Sequence, residues 1–205
     1  MTRLYAIIAV SLVSLMLGVM AYWVYFGAPD DQFTKCRTSR IAAGKASIGG
    51  PFTLVDKTGR TVTDKDIITK PSLVYFGYTY CPDVCPADNA RNAEAVDLLT
   101  KMGFDVVPVF ISVDPDRDTP QVVGEFAGYM HEKMIGLTGS AEQVKAASQA
   151  YRTYYRKNGE GDDYLVDHTT FTYLTLPKYG FVELFRREAS PQTMADTVAC
   201  FVNAS

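Results

Sequence analysis

Leu73-Val74-Tyr75-Phe76-Gly77-Tyr78-Thr79-Tyr80-Cys81-Pro82-Asp83-Val84-Cys85-Pro86 is the stretch on which the reading of this chain turns. Its apolar run predicts a short buried strand ending at Tyr78. Two cysteines follow at a spacing that puts both sulfurs on one face if the turn is helical. Pro82 has no N–H and a fixed φ, which suits the first turn of a helix. The expectation is therefore strand, tight turn, helix, with two thiols at the helix N-terminus, where partial positive charge lowers a thiol's pKa. A structural disulfide or an inert buried pair is the alternative, but such cysteines rarely come with a strand-to-helix setting.

Downstream, 87–102 predicts a helix, with Ala90, Ala93, Val96, Leu98 and Leu99 as apolar positions and Gly103 as the stop. The near-continuous apolarity of 106–113 suits a central parallel strand. Thr119 and Pro120 open a second helix to about Met130, 134–138 is a short strand, and Ser140 caps a third helix over 141–157. A loop at 158–163 precedes two strands, 171–176 and 181–187, joined at Pro177-Lys178-Tyr179-Gly180 as an antiparallel pair. Ser190 and Pro191 start a final helix. Upstream, 51–56 and 61–63 form a hairpin about Lys57-Thr58-Gly59-Arg60. This order predicts an α/β, thioredoxin-like fold with an N-terminal β-hairpin and a helical insertion.

The chain has 205 residues, a formal net charge of −3 and 21% charged residues, and no basic stripe, so nucleic acid is not an expected partner. From Leu4 to Phe26 there is no charge, enough to cross a bilayer core of ~30 Å as a helix. Tyr5 lies near one end, and Tyr22, Trp23, Tyr25 and Phe26 crowd the other, as aromatic belts do. Arg3 before the run and Asp30 and Asp31 after it put the N-terminus in the cytoplasm and the domain outside. A cleaved signal peptide is the rival reading, disfavoured by the length of the run and the lack of a small-residue cleavage motif. The expected organisation is a cytoplasmic tip and transmembrane anchor over 1–27, a tether over 28–50 and a folded domain over 51–205, anchored once in a bacterial inner membrane and facing the periplasm. Four cysteines are too few for a disulfide scaffold and suit one site plus one bridge.

His168 stands in Tyr164-Leu165-Val166-Asp167-His168-Thr169-Thr170, just before the strand at 171. In a thioredoxin-like fold that loop packs beside the cysteine turn. A dithiol oxidoreductase normally has a cis-proline there, whereas this chain has an imidazole. Two thiolates and an imidazole suit Cu(I), Cu(II) or Zn(II). Asp167 and Thr169 are candidates for fixing the ring's tautomer. Spacing alone leaves open a histidine that is merely structural. The loop Asp114-Pro115-Asp116-Arg117-Asp118-Thr119-Pro120 is expected to pair its charges internally rather than bind a cation. Met130, His131 and Met134 form a second soft set, more simply read as a helix end with methionines in the core.

The segments 77–86, 110–120 and 166–169, in this order, resemble the Sco/SenC family of copper-binding, membrane-anchored thioredoxin-fold proteins. The resemblance implies copper ligation by Cys81, Cys85 and His168. It implies a role in building the binuclear copper centre of cytochrome c oxidase subunit II, by copper delivery, by reduction of that subunit's cysteines, or by both. If the protein is a reductase, Cys81 and Cys85 are the redox pair; as a metallochaperone it is not an enzyme in the turnover sense. A periplasmic copper donor and a thioredoxin-like reductant are the further partners. A peroxidase of the same fold is a weaker reading. Cys36 and Cys200 belong to none of these motifs, and in an oxidising compartment they are expected to pair with each other.

Overall fold

A computed structural model describes residues 2–26, 32–39 and 48–205. The chain divides into two compact units, Met1–Thr34 and Lys35–Ser205. The first contains helix α1 (Thr2–Phe26), whose side chains from Arg3 to Tyr22 are all exposed. The stretch Arg3–Tyr22 is long and apolar enough to cross a membrane, a property it shares with signal sequences.

The second unit contains β1 (Thr53–Asp56), β2 (Thr61–Thr63), α2 (Asp64–Ile67), β3 (Ser72–Gly77), α3 (Val84–Lys101), β4 (Val107–Ser112), α4 (Pro120–Met130), β5 (Ile135–Thr138), α5 (Ala141–Ala150), β6 (Tyr155–Asn158), β7 (Leu165–His168), β8 (Thr172–Leu176), β9 (Gly180–Phe185) and α6 (Pro191–Asn203). The main sheet has the order β2-β1-β5-β4-β3-β8-β9. β3, β4 and β5 are parallel, and β8 and β9 return antiparallel on the other flank. All six residues of β3 are buried, as the continuous apolar run requires of a strand covered on both faces. The fold is the mixed α/β, thioredoxin-like arrangement expected from element order, with β1–β2 as the added hairpin and α4–β5 as the insertion.

Side chains start three of the helices. Thr119, Ser140 and Ser190 accept the N–H of Val122, Gln143 and Thr193, and Pro120 and Pro191 occupy first-turn positions. One expectation gives way. The third helix does not run to Lys157: it ends at Ala150, Arg152 adopts φ 53°, and the Thr153 N–H donates back to the Ser148 carbonyl at 2.9 Å. Residues 155–158 then pair antiparallel with 165–168 as a separate two-stranded sheet, so Tyr151, Tyr154 and Tyr155 share no helix face. The one-turn helix α2 and the strand β7 add to the elements that periodicity and turn signals predict.

The stretch 28–50, expected to be a tether, is partly fixed to the folded unit. The Cys36 and Cys200 sulfurs lie at bonding distance, with Cα atoms 5.6 Å apart across a sequence separation of 164. The buried Glu183 carboxylate accepts the N–H groups of Thr38 at 2.7 Å and Ser39 at 3.2 Å. Residues 40–47 lie outside the described ones.

Candidate metal centre

The passage out of β3 builds the first two ligand positions. The Cys81 N–H reaches back to the Tyr78 carbonyl at 3.4 Å, closing a tight turn. α3 starts only at Val84, so Pro82 precedes the helix, contrary to expectation, and Pro86 takes the first-turn place. The N-cap Asp83 makes no side-chain cap hydrogen bond. A sulfur takes its place: the Cys85 N–H, an orphan donor of the first helical turn, donates to Cys81 Sγ at 3.2 Å. Cys85 sits in that first turn, fully buried, and Cys81 is 6% exposed. Gly77 makes room for Cys85, because a Cβ at residue 77 would stand 2.8 Å from Cys85 Sγ.

His168 arrives from the β6–β7 hairpin as the last residue of β7. Its Nδ1 lies 3.0 Å from the Thr169 carbonyl, so Nδ1–H is the donor and Nε2 keeps its lone pair. That free nitrogen is 3.3 Å from Cys85 Sγ. Thr169 thus sets the tautomer as expected, though through its backbone. Asp167 plays no part in orienting the ring, contrary to expectation; its carboxylate accepts from Asn158 Nδ2 at 3.3 Å on the exposed hairpin. The rings of Tyr75 and Tyr78 meet the imidazole edge to face, at centroid distances of 6.1 and 5.7 Å. The ligand atoms of Cys81, Cys85 and His168 all lie within 4.8 Å of one another, the only such group of three among the described residues. Cys81 and His168 border a cleft of about 260 Å³ lined also by Pro82, Val84 and Leu165.

The two thiols are unequal. Hydrogen bonding from Cys85 holds the Cys81 thiol far below its ordinary range, with the Cys85 and Asp83 N–H groups adding to the effect against burial. Cys85 is pushed up, first because it donates to the Cys81 sulfur and then because it is buried. One thiolate and one thiol therefore face one imidazole. That set suits a soft cation, which would displace the remaining proton.

Around the ligands lie groups that motif reading did not single out. The buried Tyr75 hydroxyl donates to Asp88 Oδ2 at 2.9 Å, and Asp88 pairs with Arg187 at 3.2 Å. An i,i+3 pairing of Asp88 with Arg91, at 3.7 Å, is the one sign of this network visible in the sequence. Asp118, fully buried, accepts the Thr79 N–H at 3.0 Å and the Ser112 hydroxyl at 2.5 Å, tying the cysteine loop to the end of β4. Arg117 pairs with Asp114 at 2.7 Å, so the acidic loop pairs its own charges as expected. His131 contacts Asp97 at 3.3 Å and accepts the Lys133 N–H, while Met134 is buried, which is the helix-end reading.

Comparison with known proteins shows the family to which the chain belongs. The SCO1/SenC family model matches residues 41–203. Protein SenC of Rhodobacter capsulatus is 54% identical over 200 residues, 97% of this chain and 90% of that protein. The crystal structure of Arabidopsis thaliana ScoI with copper bound superposes with a TM-score of 0.73 at 44% identity, covering 76% of this chain and 99% of that one. Copper-bound yeast Sco1 gives 0.72 at 38% identity, covering 78% and 91%. The chain is a member of the SCO1/SenC family.

Proposed function

We propose that this protein binds one copper ion through Cys81 Sγ, Cys85 Sγ and His168 Nε2 and passes it to the binuclear copper centre of cytochrome c oxidase subunit II. The observation that carries this reading is the convergence of two sulfurs and one imidazole nitrogen within 4.8 Å. Copper in related structures at 44% and 38% identity supports the choice of metal. Copper here is cargo: the residues must hold it and also release it. The cleft beside the ligands leaves an incoming partner's thiolates a route to the metal.

The apolar helix supports anchoring in a bacterial inner membrane with the second unit in the periplasm. A tether raises the effective concentration at a membrane-bound oxidase. An oxidising compartment would also maintain the Cys36–Cys200 bond. A periplasmic copper donor and a thioredoxin-like reductant complete the expected partners.

A second reading is thiol reduction, favoured by the placement of both sulfurs on one loop-to-helix passage. In that reaction the Cys81 thiolate attacks a disulfide of subunit II and forms a mixed disulfide. The subunit II thiolate expelled in that step takes the Cys85 proton, and the Cys85 thiolate then attacks Cys81 Sγ, releasing the second reduced cysteine and leaving Cys81–Cys85 oxidised. The deciding experiment adds copper to the reduced full-length protein, wild type beside His168→Ala. Copper carriage predicts a Cu(II)–thiolate charge-transfer band in the wild type and a large loss of affinity in the variant. Unchanged stoichiometry, spectrum and affinity in His168→Ala would remove the histidine and favour the reductase.

A further inference from the structure

Arg117 sits where three segments meet. Its guanidinium carbon lies 3.6 Å from the ring centroid of Tyr164 on the β6–β7 hairpin and 4.6 Å from that of Tyr80 on the cysteine loop. Tyr78, whose ring also meets the His168 imidazole, is 5.8 Å away. Nε pairs with Asp114 at 2.7 Å, and Nη1 donates to the Asp162 carbonyl in the hairpin loop at 3.0 Å. The Tyr164 hydroxyl donates to the other Asp114 oxygen at 2.5 Å, so Asp114 locks both the cation and the ring it stacks on. Nη2 is buried without a hydrogen-bond acceptor, a cost the surrounding ring faces offset.

The hairpin needs such an anchor. β6 and β7 pair with each other in a sheet separate from the main one, and two strands alone are marginal in water. Three of the four β6 residues are exposed. At the foot of the hairpin, the Thr169 N–H and hydroxyl bridge to the Tyr154 backbone. At its tip stand Asp162 and Tyr164, and His168 projects from the strand between these two ends.

We propose that Arg117 is a positioning residue for the metal centre: clasped between Tyr164 and Tyr80, it fixes the β6–β7 hairpin to the cysteine loop and thereby sets the distance of His168 Nε2 from the two sulfurs. This rests on the copper-binding reading above. Arg117 touches neither the ligands nor the metal position. It acts on the one ligand that arrives from a different element, leaving Cys81 and Cys85 where the β3–α3 passage puts them. Lysine cannot replace it, lacking the planar fork that pairs with Asp114 and the Asp162 carbonyl while stacking on both rings.

The test is a double-mutant cycle in the reduced full-length protein in detergent, titrating Cu(I) and Cu(II) against a competing chelator. Arg117→Met, which keeps the apolar stem, should weaken copper binding by about 10–100-fold, the range for groups that orient a metal ligand. In a His168→Ala background the same change should cost less than about two-fold, because the ligand it positions is gone. Arg117→Lys should resemble Arg117→Met. Equal losses in both backgrounds, or no loss in either, would overturn the proposal. Unchanged affinity in His168→Ala alone overturns the copper site itself, and this proposal with it. Should Arg117→Met fail to fold, Tyr164→Phe removes only the hydroxyl on Asp114 and should show a smaller loss with the same dependence on His168.

Discussion

Replacing Gly77 by alanine tests how the centre is packed. A Cβ at Gly77 would stand 2.8 Å from Cys85 Sγ, 2.8 Å from Tyr75 Cε1 and 3.1 Å from Phe110 Cε2. Favourable contacts between heavy atoms begin near ~3.5 Å, so the overlap is roughly 0.7 Å toward Cys85 and Tyr75 and roughly 0.4 Å toward Phe110. Tyr75, Cys85 and Phe110 are each 0% exposed, so none can swing into solvent. Overpacking of this kind costs about 1–3 kcal/mol, and three rigid neighbours put Gly77→Ala near the top of that range. For a folded unit of this size each kcal/mol lowers Tm by roughly 2–4 °C, so a drop of about 6–12 °C is expected. Copper affinity should fall as well, because a metal site tolerates ligand displacements of only about 0.2 Å. The matched control is Gly128→Ala in α4, where a Cβ meets nothing within 4 Å. There the helix gains roughly 0.5–1 kcal/mol and Tm should rise. Thermal melting followed by circular dichroism, with a copper titration on each variant, reads both effects. A Gly77→Ala protein that melts within about 2 °C of wild type, the smallest shift expected per kcal/mol, and binds copper equally well would refute the packing described here.

Three further outcomes are expected. Cys200→Ser should lower Tm by roughly 4–20 °C, since closing a loop across 164 residues is worth about 5 kcal/mol as an upper figure and native bridges give about 2–5. A reductant should reproduce the shift in wild type without adding to it in the variant, and a Tm indifferent to reduction would show that the two sulfurs are not bonded. Burial holds the Asp118 carboxyl above its usual range, so the folded state binds its proton more tightly than the unfolded chain does. Its contribution to stability is therefore greatest below the unfolded pKa near ~3.9 and declines as pH rises through the folded value. Relative to Asp118→Asn, wild type should lose stability as pH rises across that window, at about 1.4 kcal/mol per unit of difference between the two states, as read from urea midpoints; a flat or opposite trend contradicts the burial account. Removing residues 1–27 should release the protein from membranes and leave copper affinity unchanged; a truncated protein that stays membrane-bound rules out the apolar helix as the anchor.

Local chemistry made much of this protein legible without coordinates. The continuous apolarity of Leu73–Phe76 and Val106–Val113 marked the two central parallel strands, because strands covered on both faces have no polar side to alternate with. Thr119-Pro120, Ser140 and Ser190-Pro191 marked three helix starts, because capping is a matter of a few adjacent atoms. Cys81, Cys85 and His168, which the structure brings within 4.8 Å of one another, could be singled out as a candidate soft set on residue type and motif alone. The β6–β7 hairpin was hidden. Tyr151, Tyr154, Tyr155 and Lys157 carry a spacing that fits a helix, and a mostly exposed two-stranded sheet has no buried face to impose alternation. Tertiary structure alone decided where Nε2 stands against the sulfurs, and that Cys81 Sγ, rather than the Asp83 side chain, accepts the helix N–H. It alone showed that Gly77 is needed for space, and that Arg117 joins the Tyr164 and Tyr80 rings. Each of these depends on distances between atoms far apart in the chain. Such distances follow from the packing of whole elements, which residue type and spacing do not encode one position at a time.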